Sequence, residues 1–206
     1  MHVIDEQKVG AAWKMAYQLV MNEGSAVKDD GVNLLEVLDL FIVVHNVSRD
    51  DEILQKDADQ KLIDWMVDDN FGGNLPVLNW GYSYGMRFRD FHGVNQVDKI
   101  VSRIQNNPEC KSATISLMDP TTDFAGHMPC IIGLDFKLRN NKLHVTGYFR
   151  SQDIGKKVYA DFLAISKIQH EVASKLKSAA GDVKILISSA HIYEQDFGKF
   201  GTRASL

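Results

Sequence analysis

Two residues in the second half of the chain could act together on an organic substrate. Cys130 follows Pro129 at the start of a predicted strand, where a thiol can project into a cleft and act as a nucleophile. Arg150 ends the next predicted strand, and a guanidinium can hold a phosphate through two hydrogen bonds and favours a nearby thiolate. Taken alone, the commoner roles are a small buried apolar cysteine and a solvated arginine at a strand end.

Three further polar side chains lie in positions that favour burial. Asp161 comes three residues after Val158 and one before Phe162, on or beside the apolar face of a predicted helix. A carboxylate there is costly unless it is paired or protonated, although it could also reach solvent at the edge of the apolar stripe. His191 and Tyr193 alternate on the last predicted strand, so both point to one face. They could be core residues with a satisfied polar tip, or they could hydrogen-bond a sugar hydroxyl.

The hydrophobic pattern predicts the elements that hold these residues. Cys130–Leu138 and Leu143–Phe149 alternate between apolar and polar positions, and Asn140-Asn141 between them suits a tight hairpin turn because Asn tolerates positive φ. Lys156–Ser178 keeps one apolar face at helical spacing, and Gly181 lies just past its predicted end.

The rest of the chain supplies further helices and strands. Val183–Tyr193 predicts a strand, and the first forty-five residues are predicted to be mainly helical, with a first stop at Gly24. Leu34–Val44 is expected to be helical at first and strand-like from Phe41. Short helices are predicted at Leu62–Val67 and Val97–Gln105, a loop at Gly72–Tyr84 and a strand at Ala113–Met118. This mixture predicts a single α+β domain over residues 1–206, with a mixed, mostly antiparallel sheet packed by helices.

Composition narrows the class of protein. The chain has 206 residues, 24% of them charged, and a net charge of −4, so nothing marks it as a nucleic-acid or membrane-surface binder. No apolar run has the length of a membrane span, and Met1–Lys8 does not resemble the start of a secretory signal. The two cysteines, Cys110 and Cys130, are expected to be free thiols in a cytoplasmic protein. The scattered histidines give no metal-ligand spacing, so no metal site is expected.

Three motifs in order resemble the catalytic half of thymidylate synthases. They are Pro129-Cys130, Phe149-Arg150-Ser151-Gln152-Asp153 and Ser189-Ala190-His191-Ile192-Tyr193. The gaps also agree with that family: twenty residues from Cys130 to Arg150, eleven to Asp161 and thirty more to His191. The resemblance continues more loosely upstream through Tyr82-Ser83-Tyr84-Gly85, Asn107-Pro108 and Ile115-Ser116-Leu117, and Glu36-Val37-Leu38 resembles the segment of the family's active-site glutamate.

The resemblance implies covalent catalysis on a pyrimidine nucleoside monophosphate with 5,10-methylenetetrahydrofolate as cosubstrate. The Cys130 thiolate would add to C6 of the base, which makes C5 the nucleophile toward the one-carbon unit. It also implies a homodimer. The matched positions imply the remaining roles. Arg150 and Ser151 would hold the phosphate, Lys111 would reach the phosphate in the neighbouring subunit, and Asp153 would contact the folate. Glu36 would organise water and protons near C4, Tyr84 would line the site near the thiol, and His191 and Tyr193 would hold the ribose 3′-hydroxyl.

One departure from the family pattern concerns the base. Thymidylate synthases carry Asn where this chain has Asp161, and an amide matches the N3–H and O4 of uracil. A neutral carboxylic acid can donate to N3 and accept from the N4 amino group of cytosine, and an ionised one can do so if N3 is protonated. Asp here resembles the deoxycytidylate and cytidylate hydroxymethylases, so the expected reaction is 5-hydroxymethylation of dCMP, or of CMP. The alternatives are a thymidylate synthase acting on dUMP, a dCMP methylase and an inactive nucleotide-binding homologue.

Other departures affect the phosphate site and the cosubstrate site. Cys110-Lys111-Ser112 stands where the family supplies a pair of arginines. One positive charge remains, but a lysine cannot hold the phosphate through two parallel hydrogen bonds as an arginine can. Ile131 follows the nucleophile where synthases commonly have His. Only Phe197–Leu206 follows the predicted sugar-binding strand and could cover the folate; otherwise the folate site is more open to water. Phe136 and Leu138, on an alternating strand, could face either a partner subunit or the core.

Overall fold

A mixed sheet of eight strands organises the part of the chain that the computed structural model describes, residues 1–77 and 80–201. The strand order is β1-β3-β8-β6-β5-β4, with β2 added to β3 and β7 added to β8. The β1–β3, β6–β8 and β7–β8 pairs are parallel and the other four are antiparallel. The strands are β1 (His2–Lys8), β2 (Ser25–Asp29), β3 (Val32–Asn46), β4 (Ala113–Ser116), β5 (Ile131–Arg139), β6 (Lys142–Phe149), β7 (Gln152–Asp153) and β8 (Ala179–Tyr193).

Six α-helices accompany this sheet within the described residues, and the predicted α+β class is confirmed. They are α1 (Val9–Glu23), α2 (Glu52–Asp57), α3 (Gln60–Asp64), α4 (Tyr84–Arg89), α5 (Gln96–Asn106) and α6 (Val158–Leu176). A π-helical segment, Trp65–Phe71, follows α3 directly, and a short 3₁₀ turn, Glu194–Asp196, follows β8. None of the described helices combines the length and apolar composition needed to cross a bilayer.

The core lies between the sheet and helices α1 and α6. Trp13 and Tyr17 of α1 and Phe162 of α6 are fully buried there. The indole Nε1 of Trp13 donates to the carbonyl of Ile154 at 2.8 Å, which joins α1 to the turn after β7. Phe136 of β5 is also fully buried in this core, so the structure assigns it to the chain's own interior.

The predicted hairpin of β5 and β6 is confirmed. Asn140 and Asn141 connect the two strands with φ angles of 49° and 58°. Two successive positive φ angles form the tight turn whose twist matches that of the flanking strands. Strand β5 starts at Ile131, so Cys130 lies at the end of the hairpin opposite the turn, beside Arg150.

The predicted helical character of the first forty-five residues is correct only for α1. This helix ends at Glu23, directly before the predicted stop at Gly24, which is in an extended conformation. The expected helix in Leu34–Val44 is wrong, because all of that segment belongs to β3. Strand β3 pairs with β1, β2 and β8, and its sequence is a nearly continuous run of apolar residues. Such a run lacks the alternation that distinguishes a strand from a buried helix.

The predicted helix at Lys156–Ser178 is confirmed as α6, Val158–Leu176. The helix ends at Leu176, and Lys177 takes the left-handed conformation with φ 53°. Gly181 lies inside β8, where an added Cβ would come within 2.8 Å of the His144 ring. This glycine therefore permits a close approach between strands. The predicted helix at Val97–Gln105 and the strand at Ala113–Met118 are confirmed as α5 and β4.

The predicted short helix at Leu62–Val67 is confirmed as helical structure, but the structure divides it between α3 and the π-helical segment. The predicted loop at Gly72–Tyr84 joins that segment to α4, which starts at Tyr84. Residues 78 and 79 of this loop lie outside the described residues.

Candidate active site

A cleft of about 620 Å³ brings together most of the residues that the sequence singles out. Its volume is in the range of small-molecule sites. Nine residues with predicted roles line it: Glu36, Tyr84, Cys130, Arg150, Ser151, Asp153, Asp161, His191 and Tyr193. Lys111 is exposed just before β4 and does not line the cleft of its own chain.

Cys130, half-buried and free of any disulfide, lies where the loop before β5 meets the end of β6. The Arg150 amide donates to its carbonyl at 2.9 Å. The Arg150 guanidinium donates through Nε to the carbonyl of Pro129 at 3.0 Å and through Nη2 to that of Met128 at 2.8 Å. The Ser151 hydroxyl lies 3.7 Å from the Cys130 sulfur. The arginine is thus fixed by the segment that carries the thiol, with its charge beside the cleft.

Tyr84, the first residue of α4, supports the backbone next to the thiol. Its hydroxyl accepts from the amide of Ile131 at 3.1 Å, and its own amide donates to Oδ1 of Asn70 at 3.2 Å. The side chain is buried, and burial raises the pKa of Tyr84 well above its ordinary value. The phenol therefore stays neutral and fixes the position of the β5 backbone beside Cys130.

Asp161 projects into the cleft from the first turn of α6. Its side chain is buried, with 4% exposure. Its Oδ2 accepts from the Nε2 of Gln152 at 2.7 Å. Burial raises the pKa of Asp161 from 3.8 to about 6, although the Gln152 hydrogen bond and the Lys157 charge oppose this rise. A carboxyl with this pKa can take up a proton close to neutral pH.

Three ionisable residues form a row across strands β3, β8 and β7. Glu36 is the register partner of His191, and His191 is the partner of Asp153 on its other side. The Ser189 hydroxyl donates to Oε1 of Glu36 at 2.5 Å, and the Tyr193 ring lies edge-on to His191 at 5.0 Å. Burial lowers the pKa of His191 and raises the pKa of Asp153. His191 is therefore neutral at pH 7 and can donate or accept one hydrogen bond at the cleft wall.

Comparison with known proteins identifies the family. A family model described as thymidylate synthase matches residues 41–204. The chain belongs to the thymidylate synthase family. Members of this family are folate-dependent one-carbon transferases.

Archaeal relatives of similar length match nearly the whole chain. A protein of Methanococcoides burtonii, provisionally named a thymidylate synthase, is 30% identical over 202 residues, which cover 96% of this chain and 92% of the relative. A protein of Methanosarcina barkeri with the same provisional name is 28% identical over 207 residues, 95% of this chain and 91% of the relative. The thymidylate synthase of Mycoplasma genitalium is 27% identical over 167 residues, 81% of this chain but 56% of that longer protein.

Several cleft residues of this thymidylate synthase family member were not found from its sequence. His127 lies three residues before the thiol and stacks on Trp80 with ring centroids 4.5 Å apart. Burial, with the nearby charges of Arg150 and Lys157, lowers the pKa of His127. Gln152 lies inside the motif Phe149-Arg150-Ser151-Gln152-Asp153, and this place in the motif is the one feature of the sequence that could have revealed it. The other unpredicted polar residues of the lining are Asp29, Asp30, Asn70, Lys157 and Ser189.

Two of the chain's last described residues pack against α1. The Phe200 ring lies edge-on to Trp13 at 4.9 Å and to Tyr17 at 5.0 Å, and the Lys199 amide donates to the Tyr17 hydroxyl at 3.0 Å. Within the described part of the predicted cover, Phe197–Gly201, Lys199 and Phe200 thus contact α1, and none of these five residues lines the cleft. Residues 202–206 lie outside the described residues.

Proposed function

We propose that this member of the thymidylate synthase family is a pyrimidine nucleotide C5 hydroxymethylase that acts on dCMP, or on CMP, through a covalent Cys130 adduct. The observation that carries the proposal is the burial of Asp161 in the cleft that contains Cys130. An ionised carboxylate at this position would repel the O4 of uracil. A carboxyl that shares a proton with the base satisfies both N3 and N4 of cytosine.

The raised pKa of Asp161 allows its carboxyl to pair with cytosine near neutral pH. The cytosine complex contains one proton more than a carboxylate and a neutral base, so binding takes up a proton. Because the carboxyl titrates at about pH 6, this uptake costs little near neutrality. The affinity for dCMP should therefore fall with rising pH, by about tenfold per unit well above the pKa of the free carboxyl.

The side chains around the cleft fit the remaining parts of a nucleotide. Arg150 and Ser151 lie beside the thiol and would hold the phosphate, because a guanidinium and a hydroxyl are phosphate donors. His191 and Tyr193 present two hydrogen-bonding groups on one strand face for the ribose hydroxyl. The Cys130 thiolate would add to C6, forming a carbon–sulfur bond and leaving C5 as the nucleophile.

The residues also fit a folate cosubstrate. Asp153 places a carboxyl in the cleft wall, where it can accept hydrogen bonds from the N–H groups of a pterin. When bound, 5,10-methylenetetrahydrofolate supplies the one-carbon unit. Glu36, whose Oε1 accepts from Ser189, would orient the water that completes the hydroxymethyl group. Cys130 leaves C6 in the last step, which restores the aromatic base.

Product analysis with dCMP, CMP and dUMP tests the proposal. The protein is incubated with 5,10-methylenetetrahydrofolate and each nucleotide, and the expected product is a cytidine nucleotide heavier by CH2O, with tetrahydrofolate released. Methylated dUMP with dihydrofolate would make the protein a thymidylate synthase, the name that its relatives carry. No product from a folded protein would support an inactive nucleotide-binding homologue. Cys130→Ser is the control, because it should still bind nucleotide without turnover.

Base choice is tested separately with Asp161→Asn. An amide matches uracil, so the ratio of kcat/KM for dCMP over dUMP should fall by at least about tenfold, the size of one or two hydrogen bonds. The exposed carboxylate Asp50 provides the matched control Asp50→Asn, which should leave the ratio unchanged. An unchanged ratio in Asp161→Asn would exclude Asp161 as the base selector.

A homodimer through the sheet face opposite the helices is part of the proposal. Four apolar residues are aligned in one row across four strands by register: Val3, Phe41, Leu186 and Tyr148. Val3 is 58% exposed and Tyr148 37% exposed in the single chain. A partner covering this row would remove apolar area from water. The dimer is also needed for a role of Lys111, because this lysine lies outside the cleft of its own chain.

Mixed dimers test both the assembly and the lysine. Sedimentation should give a dimer for the wild type and a monomer for Leu186→Arg. Neither Lys111→Ala nor Cys130→Ser should be active alone, but heterodimers formed by mixing them should recover activity, because one of their two sites contains both residues. Absence of recovery from confirmed heterodimers would exclude a contribution of Lys111 across the interface.

A further inference from the structure

Gln152 is the one described side chain with a hydrogen bond to the Asp161 carboxyl. It lies on the two-residue strand β7, where its register partner is Ala190 of β8. The side chain is 2% exposed, so its amide is shielded from bulk water. A buried amide donor with a single acceptor oxygen at 2.7 Å fixes the role of that oxygen.

The role of each carboxyl oxygen decides which base Asp161 can recognise. A neutral carboxylic acid has one donor oxygen and one acceptor oxygen. With the proton on the oxygen that faces N3, it matches cytosine, which accepts at N3 and donates from N4. With the proton on the other oxygen, it matches uracil, which donates from N3 and accepts at O4. The ionised form of Asp161 disfavours uracil, but its protonated form by itself does not distinguish the two bases.

We propose that Gln152 is a positioning residue that makes Asp161 selective for cytosine. By donating to Oδ2, it keeps that oxygen an acceptor, and the shared proton is assigned to Oδ1. In the proposed complex Oδ1 and its proton face N3, and Oδ2 accepts from both Gln152 and the N4 amino group. The inference rests on the proposed function and deepens it, because it names what sets the base preference of that site.

The other ionisable groups near Asp161 do not distinguish its two oxygens by a described hydrogen bond. Lys157, which precedes α6, favours the carboxylate, whereas Asp153 of β7 disfavours it. Tyr84 of α4 also interacts electrostatically with Asp161, and its hydroxyl is engaged with the Ile131 amide. Among the described residues, the choice between the two oxygens therefore depends on Gln152.

The test is Gln152→Met, which keeps the length and approximate volume of the side chain but removes the amide donor. Equilibrium binding of dCMP and of dUMP is measured by calorimetry on the wild type and the variant between about pH 5.5 and 8, the range in which proton uptake by Asp161 changes binding. The affinity ratio of dCMP over dUMP should fall about tenfold in the variant, the effect of one lost hydrogen bond. The pKa of Asp161, followed by carbon NMR of its carboxyl, should rise because the ionised form loses a donor.

Gln169→Met is the matched control. Gln169 is an equally buried glutamine whose Nε2 donates to the carbonyls of Leu143 and Gly181, outside the cleft. Its variant should lose stability without a change in base preference. If Gln152→Met does not fold, Gln152→Leu removes the same donor with another apolar side chain.

The outcomes separate this inference from the proposed function. A wild type that prefers dUMP would overturn the proposed function and with it the role of Gln152. A wild type that prefers dCMP, with an unchanged ratio in the Gln152 variants and an unchanged Asp161 titration, would overturn the inference alone. A fall in the ratio for Gln152→Met and for Gln169→Met alike would assign the effect to general loosening of the fold and would also overturn it.

Discussion

Replacing the buried Asp161 with Asn should stabilise the protein at neutral pH. Burial raises the pKa of this carboxyl from 3.8 to about 6. A difference of this size corresponds to about 3 kcal/mol by which folding is disfavoured once the carboxyl is ionised in both states. Asn has the same shape, stays neutral and can still accept from the Gln152 amide through its Oδ1. The variant therefore removes the cost of a buried charge and keeps the contact.

The gain should depend on pH in a definite direction. Between pH 3.8 and about 6 the folded chain holds a proton on Asp161 that the unfolded chain releases. The contribution of this group to stability therefore falls as the pH rises through that window and is constant above it. The advantage of Asp161→Asn should grow from less than about 1 kcal/mol at pH 4 to about 3 kcal/mol at pH 7.5.

Urea denaturation of the wild type and Asp161→Asn at several pH values measures this difference. Subtracting the two free energies of unfolding at each pH cancels the titration of all other groups that do not contact the site. Asp50→Asn, at an exposed position, is the control and should show no comparable trend. A variant that is no more stable than the wild type at pH 7.5, or whose gain is the same at every pH, would refute the assignment of a buried, costly charge to Asp161.

Three further predictions concern other parts of the structure. Asp123→Asn leaves the buried Arg87 guanidinium without its ion pair and should cost about 3–5 kcal/mol in denaturation experiments. Tyr84→Phe leaves the amide beside the nucleophile without its acceptor, so it should cost about 1–3 kcal/mol and lower kcat more than it changes KM. The pKa of His45 is raised above 6.5, mainly by its hydrogen bond to Asp182. This pairing therefore stabilises the fold below pH 6.5, and the stabilisation is lost as the pH rises past the raised pKa. Asp182→Asn should lower the pKa of His45 measured by proton NMR.

The sequence by itself determined the family resemblance, the hairpin and the order of the chemical groups. Local chemistry was sufficient for these features. Asn140-Asn141 tolerates the positive φ angles of a tight turn, and alternation fixes which face of a strand each residue occupies. The sequence placed Cys130 and Arg150 at the ends of predicted strands and His191 two residues before the end of another, and all three line one cleft.

The tertiary structure decided what local patterns leave ambiguous. Leu34–Val44 was predicted to begin as helix, but its pairing with β1, β2 and β8 makes it a central strand, and a central strand is apolar on both faces. The partners of Asp161 were equally hidden. Gln152 lies nine residues earlier and on another element, so only the packing of β7 against α6 brings its amide within 2.7 Å of the carboxyl.

Burial likewise belongs to the folded chain. The sequence left open whether Asp161 reaches solvent at the edge of its helix. The helical pattern shows which face of the helix the residue occupies, but not how closely other elements cover that face. The structure closes the site around it, and that enclosure raises its pKa toward neutrality. The residue type was fixed by the sequence, but its protonation and its hydrogen-bonding role depend on desolvation and on Gln152, which exist only in the folded protein.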